Sequence, residues 1–100
     1  MNLAWLLATD ANEKVRNPAE AVTLAEGANR MTVRAHPKVL DTLAAAYAAA
    51  GRYDEAAETA ERALSAALGR GETRLAGEID GRISLYQSRR PYRMMRTPSR

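Results

Sequence analysis

The sequence predicts an all-α fold of about five antiparallel helices, and three observations carry that expectation. Alanine is abundant while phenylalanine is absent and aromatics make up only 5% of the chain. A core must therefore be built from Ala, Leu and a few large side chains where helices approach closely, and alanine is the best helix former. Valine and isoleucine are few and never alternate with polar residues over a strand-length window, so no segment reads as a strand. Helix start and stop residues separate the apolar stretches, at Asn17-Pro18, Pro37, Gly51 and the Gly69-Arg70-Gly71 turn.

Residues 2–9, NLAWLLAT, form a short apolar helix that ends where Asp10 and Asn12 supply turn chemistry. Asn17 is placed as an N-cap with Pro18 at the first helical position, opening a second helix to about Met31. Its apolar face is expected at Ala21, Leu24, Ala25 and Ala28, and Gly27 weakens it. Pro37 opens a third helix to Ala50, with Leu40, Leu43, Ala44 and Tyr47 on one face and Gly51 closing it. Asp54 is the expected N-cap of a fourth helix, and Glu55 and Glu58 complement its dipole. Its buried face is expected at Ala56, Ala57, Ala60, Ala63, Leu64 and Leu68, and the Gly69–Gly71 turn ends it. A fifth helix spans about Thr73 to Gln87 with Leu75, Ala76, Ile79, Ile83 and Tyr86 on one face. The remainder, SRRPYRMMRTPSR, has five arginines, two prolines and no acid, and reads as a basic, at least partly disordered tail.

A length of 100 residues with 46% hydrophobic and 27% charged side chains describes one globular domain, taken as residues 1–87 with residues 88–100 as the tail. The absence of cysteine removes disulfides and thiolate metal sites. No apolar run approaches the roughly 20 residues of a membrane helix, and no secretory signal is recognisable, so the expected location is cytoplasmic. The formal charge is +3. It divides unevenly, because residues 1–87 hold ten Lys+Arg against twelve Asp+Glu, whereas the tail holds five arginines and no acid. The body is mildly acidic, and the basic pI near 9.7 belongs to the tail.

Short helices in antiparallel succession call for a search for internal period. Residues 37–70 span 34 positions in which Leu40, Leu43, Ala44 and Tyr47 follow a large, large, small, aromatic order in the first helix. Gly51 and Tyr53 mark the turn, and Ala56 and Ala63 are the small residues of the second helix. This pattern resembles the tetratricopeptide repeat, with Ala60 in a place often taken by a larger residue and Leu68 where that pattern ends in proline. Residues 2–32 fit a second copy in which Leu3, Ala4 and Leu7 stand in the places of Leu43, Ala44 and Tyr47, with Ala21 and Ala28 as the small residues. Residues 73–87 fit one further first helix, with Asp80 in the place of Ala44, as suits a closing helix on which nothing packs. The LAWLLAT, DTLAAAYA and RPYR segments together resemble the carboxy-terminal end of longer bacterial tetratricopeptide proteins.

That resemblance implies roughly two repeats plus a closing helix, and a non-catalytic scaffold that holds a peptide or helix of a protein partner in a concave groove. The groove places it implies are Lys38, Asp41, Thr42, Ala45, Ala48 and Ala49, with Arg74 and Glu78 from the fifth helix. On residue chemistry alone Lys38 and Arg74 are solvated charges, and an alanine-lined groove suits an apolar or helical ligand. Leu3, Trp5, Leu6 and Leu7 are a candidate association face, either for upstream repeats or for a second copy, while Trp5 on its own also reads as a core residue between the first and third helices.

No constellation for catalysis, cofactor or metal is visible, so enzyme activity is not expected. His36 reads as an exposed turn residue before Pro37, and Asp54, Glu55 and Glu58 are accounted for by capping and the helix dipole. Gly69 and Gly71 lack the remainder of a phosphate loop. The alternative reading is a small binder of nucleic acid or anionic surfaces through Arg89, Arg90, Arg93, Arg96 and Arg100. Tyr92 is the only stacking residue in that tail, which gives single-strand binding thin support, and nucleic acid is not the expected partner.

Overall fold

The computed structural model describes residues 3–10, 16–30 and 36–93, and among these the chain is all-α, with no strand. Five helices follow in order: α1 (Leu3–Thr9), α2 (Pro18–Arg30), α3 (Pro37–Ala49), α4 (Tyr53–Gly69) and α5 (Thr73–Gln87). No described helix is long and apolar enough to cross a membrane.

The connections show why the helices start and stop where they do. Asn17 caps α2 in a reciprocal box: its Oδ1 accepts from the Glu20 N–H at 3.3 Å and its amide donates to the Glu20 carboxylate at 3.2 Å. The Asn17 N–H also donates to the Leu7 carbonyl at 2.8 Å, fixing the start of α2 against α1. The helix α3 ends in a Schellman turn, with Gly51 at φ +81° and the Arg52 N–H donating to the Tyr47 carbonyl at 2.8 Å. The end of α4 repeats it at Gly71, φ +72°, where the Glu72 N–H donates to the Ala67 carbonyl at 2.9 Å. The N-terminus of α4 departs from expectation. Asp54 is its second residue, and Arg52 stands at the N-cap, holding both Glu55 carboxylate oxygens at 2.7 Å.

The helix α3 is the centre of the molecule and packs on α1, α2 and α4, while α4 packs on α5 and α1 on α2. Leu40, Ala44 and Ala48 join α4 and α5 in one core with Ala56, Ala60, Ala63, Ala67, Ala76, Ile79, Ile83 and Tyr86. Leu43, Ala45 and Ala46 join α1 and α2 in another with Ala4, Ala8, Ala21, Val22 and Ala25. A helix that supplies two cores must be apolar on nearly all sides, as the alanine run of α3 is. Its small side chains let three helices approach it closely.

Three face assignments change with the packing. Val22 replaces Leu24 and Ala28 on the buried side of α2, since α2 leans on both α1 and α3. Leu68 is 59% exposed, and Ala67 takes its place in the core. His36 is half-buried, its Nδ1 without a hydrogen-bond partner among the described residues.

Candidate functional site

Two depressions meet at the amino-terminal end of α3. The first is an apolar pocket of about 330 Å³. Leu3 and Ala4 of α1, Leu24, Ala25 and Ala28 of α2, and Lys38, Val39 and Thr42 of α3 line it. Its rim holds two of the exposed large apolar side chains, Leu3 at 53% and Leu24 at 39%. The second is a shallower cleft of about 550 Å³ between α3 and the start of α5, lined by Lys38, Glu72, Thr73, Arg74, Leu75, Glu78 and Gly71. Lys38 belongs to both, so an ammonium group stands where the apolar pocket passes into the charged cleft.

A third cluster lies where α1, α3, α5 and the segment after α5 converge. The Arg82 guanidinium donates to both carboxylate oxygens of Asp41, at 2.9 and 2.6 Å. The same guanidinium lies 5.2 Å from the centroid of the Trp5 ring and 5.0 Å from that of Tyr92. The Trp5 and Tyr92 rings are themselves 5.6 Å apart and tilted by 42°. Burial pushes the Asp41 carboxyl above its ordinary range, with the Arg82 bonds pulling it back. For Arg82, burial works against the charge, but the hydrogen bonds and charge of Asp41 outweigh it and hold the guanidinium protonated more firmly than usual. Such a planar fork suits a bidentate carboxylate and a stacked ring at once.

The residues predicted from sequence separate into two groups. Lys38, Arg74 and Glu78 come together in the cleft, all exposed. Asp41, Thr42 and Ala45 are buried instead, so they do not form an open groove floor. Asp41 is only 5% exposed and is committed to Arg82, and Ala45 packs in the α1–α2–α3 core. The Thr42 hydroxyl donates to the Lys38 carbonyl at 2.9 Å, which leaves its methyl group available to the apolar pocket wall. Ala48 is buried and Ala49 half-buried.

The expected association face is likewise reduced. Leu3 is exposed, Leu6 and Leu7 are half-buried, and Trp5 is covered by Arg82 and Tyr92 rather than presented on an open edge. The first residues of the segment read as tail pack back on the helices. Arg89 turns the chain back at φ +57°, the Arg90 N–H donates to the Leu85 carbonyl at 2.9 Å, and Pro91, Tyr92 and Arg93 are half-buried. Burial, with the nearby Arg16 charge, lowers the pKa of Arg93 below that of a solvated arginine. Arg89 and Arg90 are exposed, while Arg96 and Arg100 lie outside the described residues.

Comparison with protein-family models, curated proteins and solved structures finds no match. The chemistry of the chain therefore rests on its own geometry. Among the described residues no three metal-binding side chains converge. The buried Asp41 and Arg82 are engaged with each other. What the surface offers is shape and apolar area next to fixed charge, the properties of a recognition surface.

Arg82 went unread in the sequence, and Tyr92 was read as the lone stacking residue of the tail. One signal was present: Arg82 falls in the Ile79–Ile83–Tyr86 row of α5, where a long cation interrupts an otherwise apolar face. A charge in such a row asks for a buried partner, and Asp41 is the acid that the topology brings to it.

Proposed function

We propose that this chain is a non-catalytic interaction module of tetratricopeptide type that binds an apolar or helical segment of a protein partner. The arrangement in support is an α3 flanked by α1, α2 and α4, with α5 closing against α4, and turns of one kind repeated after α3 and α4. The single observation that carries the binding reading is the open apolar pocket bounded by Leu3, Leu24 and Val39 with Lys38 at its edge. A pocket of about 330 Å³ takes one large apolar side chain or two small ones. Lys38 then favours an acid about one helical turn from that anchor, and Arg74 extends the preference along the cleft.

Selection of displayed peptides against the chain tests this reading. Peptides carrying an apolar anchor and a nearby acid should be enriched, and Leu24→Glu should weaken them at least about tenfold, as expected when a buried anchor meets an unpaired charge. Lys38→Glu should reverse the preference for the acid. Enriched peptides that bind the Leu24→Glu and Lys38→Glu variants as well as the parent would overturn the proposal.

A further inference from the structure

The cluster of Trp5, Asp41, Arg82 and Tyr92 lies apart from the apolar pocket and shares no residue with it. Its parts differ in how they are held. Trp5 belongs to α1, Asp41 to α3 and Arg82 to α5, so three helices fix one face of the cluster. The Asp41–Arg82 bidentate bond fixes the guanidinium without help from Tyr92. Tyr92 comes from outside the helices. No backbone-to-backbone hydrogen bond among the described residues joins residues 91–93 to a helix, and the last such bond is the one from Arg90. Tyr92 is therefore held by its ring, against Trp5 on one side and Arg82 on the other.

We propose that Trp5, Arg82 and Asp41 form a preformed cradle for an aromatic side chain, and that residues 90–93 are an intramolecular strap occupying it. When the strap leaves, the cradle keeps its shape, because the guanidinium stays bonded to Asp41 and stays over the indole. The vacated site presents one indole face and one desolvated cation side by side, a pairing that attracts a tyrosine ring more than an aliphatic side chain. The occupant is this chain's own Pro91-Tyr92-Arg93 segment, and an aromatic residue of a partner enters only by displacing it. The short connection from α5 keeps Tyr92 at a high effective concentration, so a free peptide competes poorly with the strap in place. The inference does not depend on the apolar pocket, and either reading can fail alone.

Trp5 is the only tryptophan in the chain and reports directly on the cradle. In the full-length Tyr92→Ala variant its emission should shift to longer wavelength and become more accessible to iodide. A synthetic peptide of residues 88–100 should reverse both changes saturably, whereas the same peptide with alanine for its tyrosine should not. The intact chain should bind the peptide at least about tenfold more weakly than Tyr92→Ala does, because its own strap competes. Tyr92→Phe should keep the parent spectrum, since the ring and not the hydroxyl is held.

A folded Tyr92→Ala variant whose Trp5 emission matches the parent, or which binds the peptide no better than the intact chain does, overturns the proposal. Tyr92→Leu repeats the comparison with apolar cover retained in case the alanine variant loses helical signal. Loss of the helical signal in both variants also overturns it, since the segment would then be part of the core and not a strap.

Discussion

At the residue scale, Tyr86 shows how one side chain can cost the fold stability. Its ring is a large member of the α3–α4–α5 core, yet its hydroxyl is buried with no hydrogen-bond partner among the described residues. Burial pushes its pKa well above that of a free phenol, the Asp41 carboxylate pushes it further, and Arg82 opposes both. A folded-state pKa raised above the unfolded value means that the native state holds its proton where the unfolded state releases it. The contribution is therefore complete below the unfolded value of about 10 and is lost as pH rises beyond it. Tyr86→Phe keeps the ring and removes the unbonded group, so it should raise stability near neutral pH by about 1 kcal/mol in urea unfolding. It should also flatten the alkaline decline, leaving the smaller share due to Tyr47. That tyrosine is raised by burial and by its hydrogen bond to Glu26 at 2.8 Å. A Tyr86→Phe variant less stable than the parent would mean that the hydroxyl is bonded after all.

At the element scale, the ends of α3, α4 and α5 form a series. Gly51, Gly71 and Arg89 occupy the same left-handed position after their helices, each followed by a backbone bond reaching back to the last turn. Glycine takes that conformation without strain, and arginine does not. Arg89→Gly should thus raise the thermal midpoint, by an amount corresponding to about 1 kcal/mol, whereas Gly51→Ala should lower it by a similar amount. An unchanged midpoint for Arg89→Gly would show that the arginine meets no strain there. The same series explains what the sequence disclosed. Helix boundaries were legible at Asn17-Pro18, Pro37, Gly51 and Gly71 because those residues carry local conformational preferences. The turn at Arg89 was not, since nothing local marks an arginine for positive φ, and residues 91–93 were accordingly read as tail. Asp54 illustrates a competing preference: the Arg52–Glu55 pair lets α4 start at Tyr53, one residue before the better capping side chain. Lys38, Arg74 and Glu78 were named in the sequence only through the resemblance to the repeat, because it is the packing of α5 beside α3, and not the periodicity of either helix, that brings them to one cleft. Asp41 and Ala45 were misread as open because their burial depends on α1 and α5 arriving from far along the chain.

At the scale of the whole molecule, the two cores differ in substance. The core shared by α3, α4 and α5 contains Leu40, Ile79, Ile83 and Tyr86, while that shared by α1, α2 and α3 has Val22 and Leu43 among alanines. Each buried methylene stabilises by about 0.8 kcal/mol, so an alanine-built core contributes much less per helix pair. The weaker of two cores opens first, and the helices that share it open as a unit. Native-state hydrogen exchange should therefore show α1 and α2 opening together, at least about tenfold more readily than α3 and α4. The contacts from this pair to the rest of the molecule include the Tyr47–Glu26 hydrogen bond and the Trp5 contacts to Arg82 and Tyr92. Glu26→Gln should consequently lower protection in α1 and α2 and leave α4 unchanged. Uniform protection across all five helices would contradict this division. The apolar pocket straddles the same boundary: Leu3, Ala4, Leu24, Ala25 and Ala28 stand on the helices that open, and Lys38, Val39 and Thr42 on the helix that does not. A segment bound there joins the weaker core to the stronger one, so a pocket ligand should slow exchange in α1 and α2 selectively, by the ratio of its concentration to its Kd.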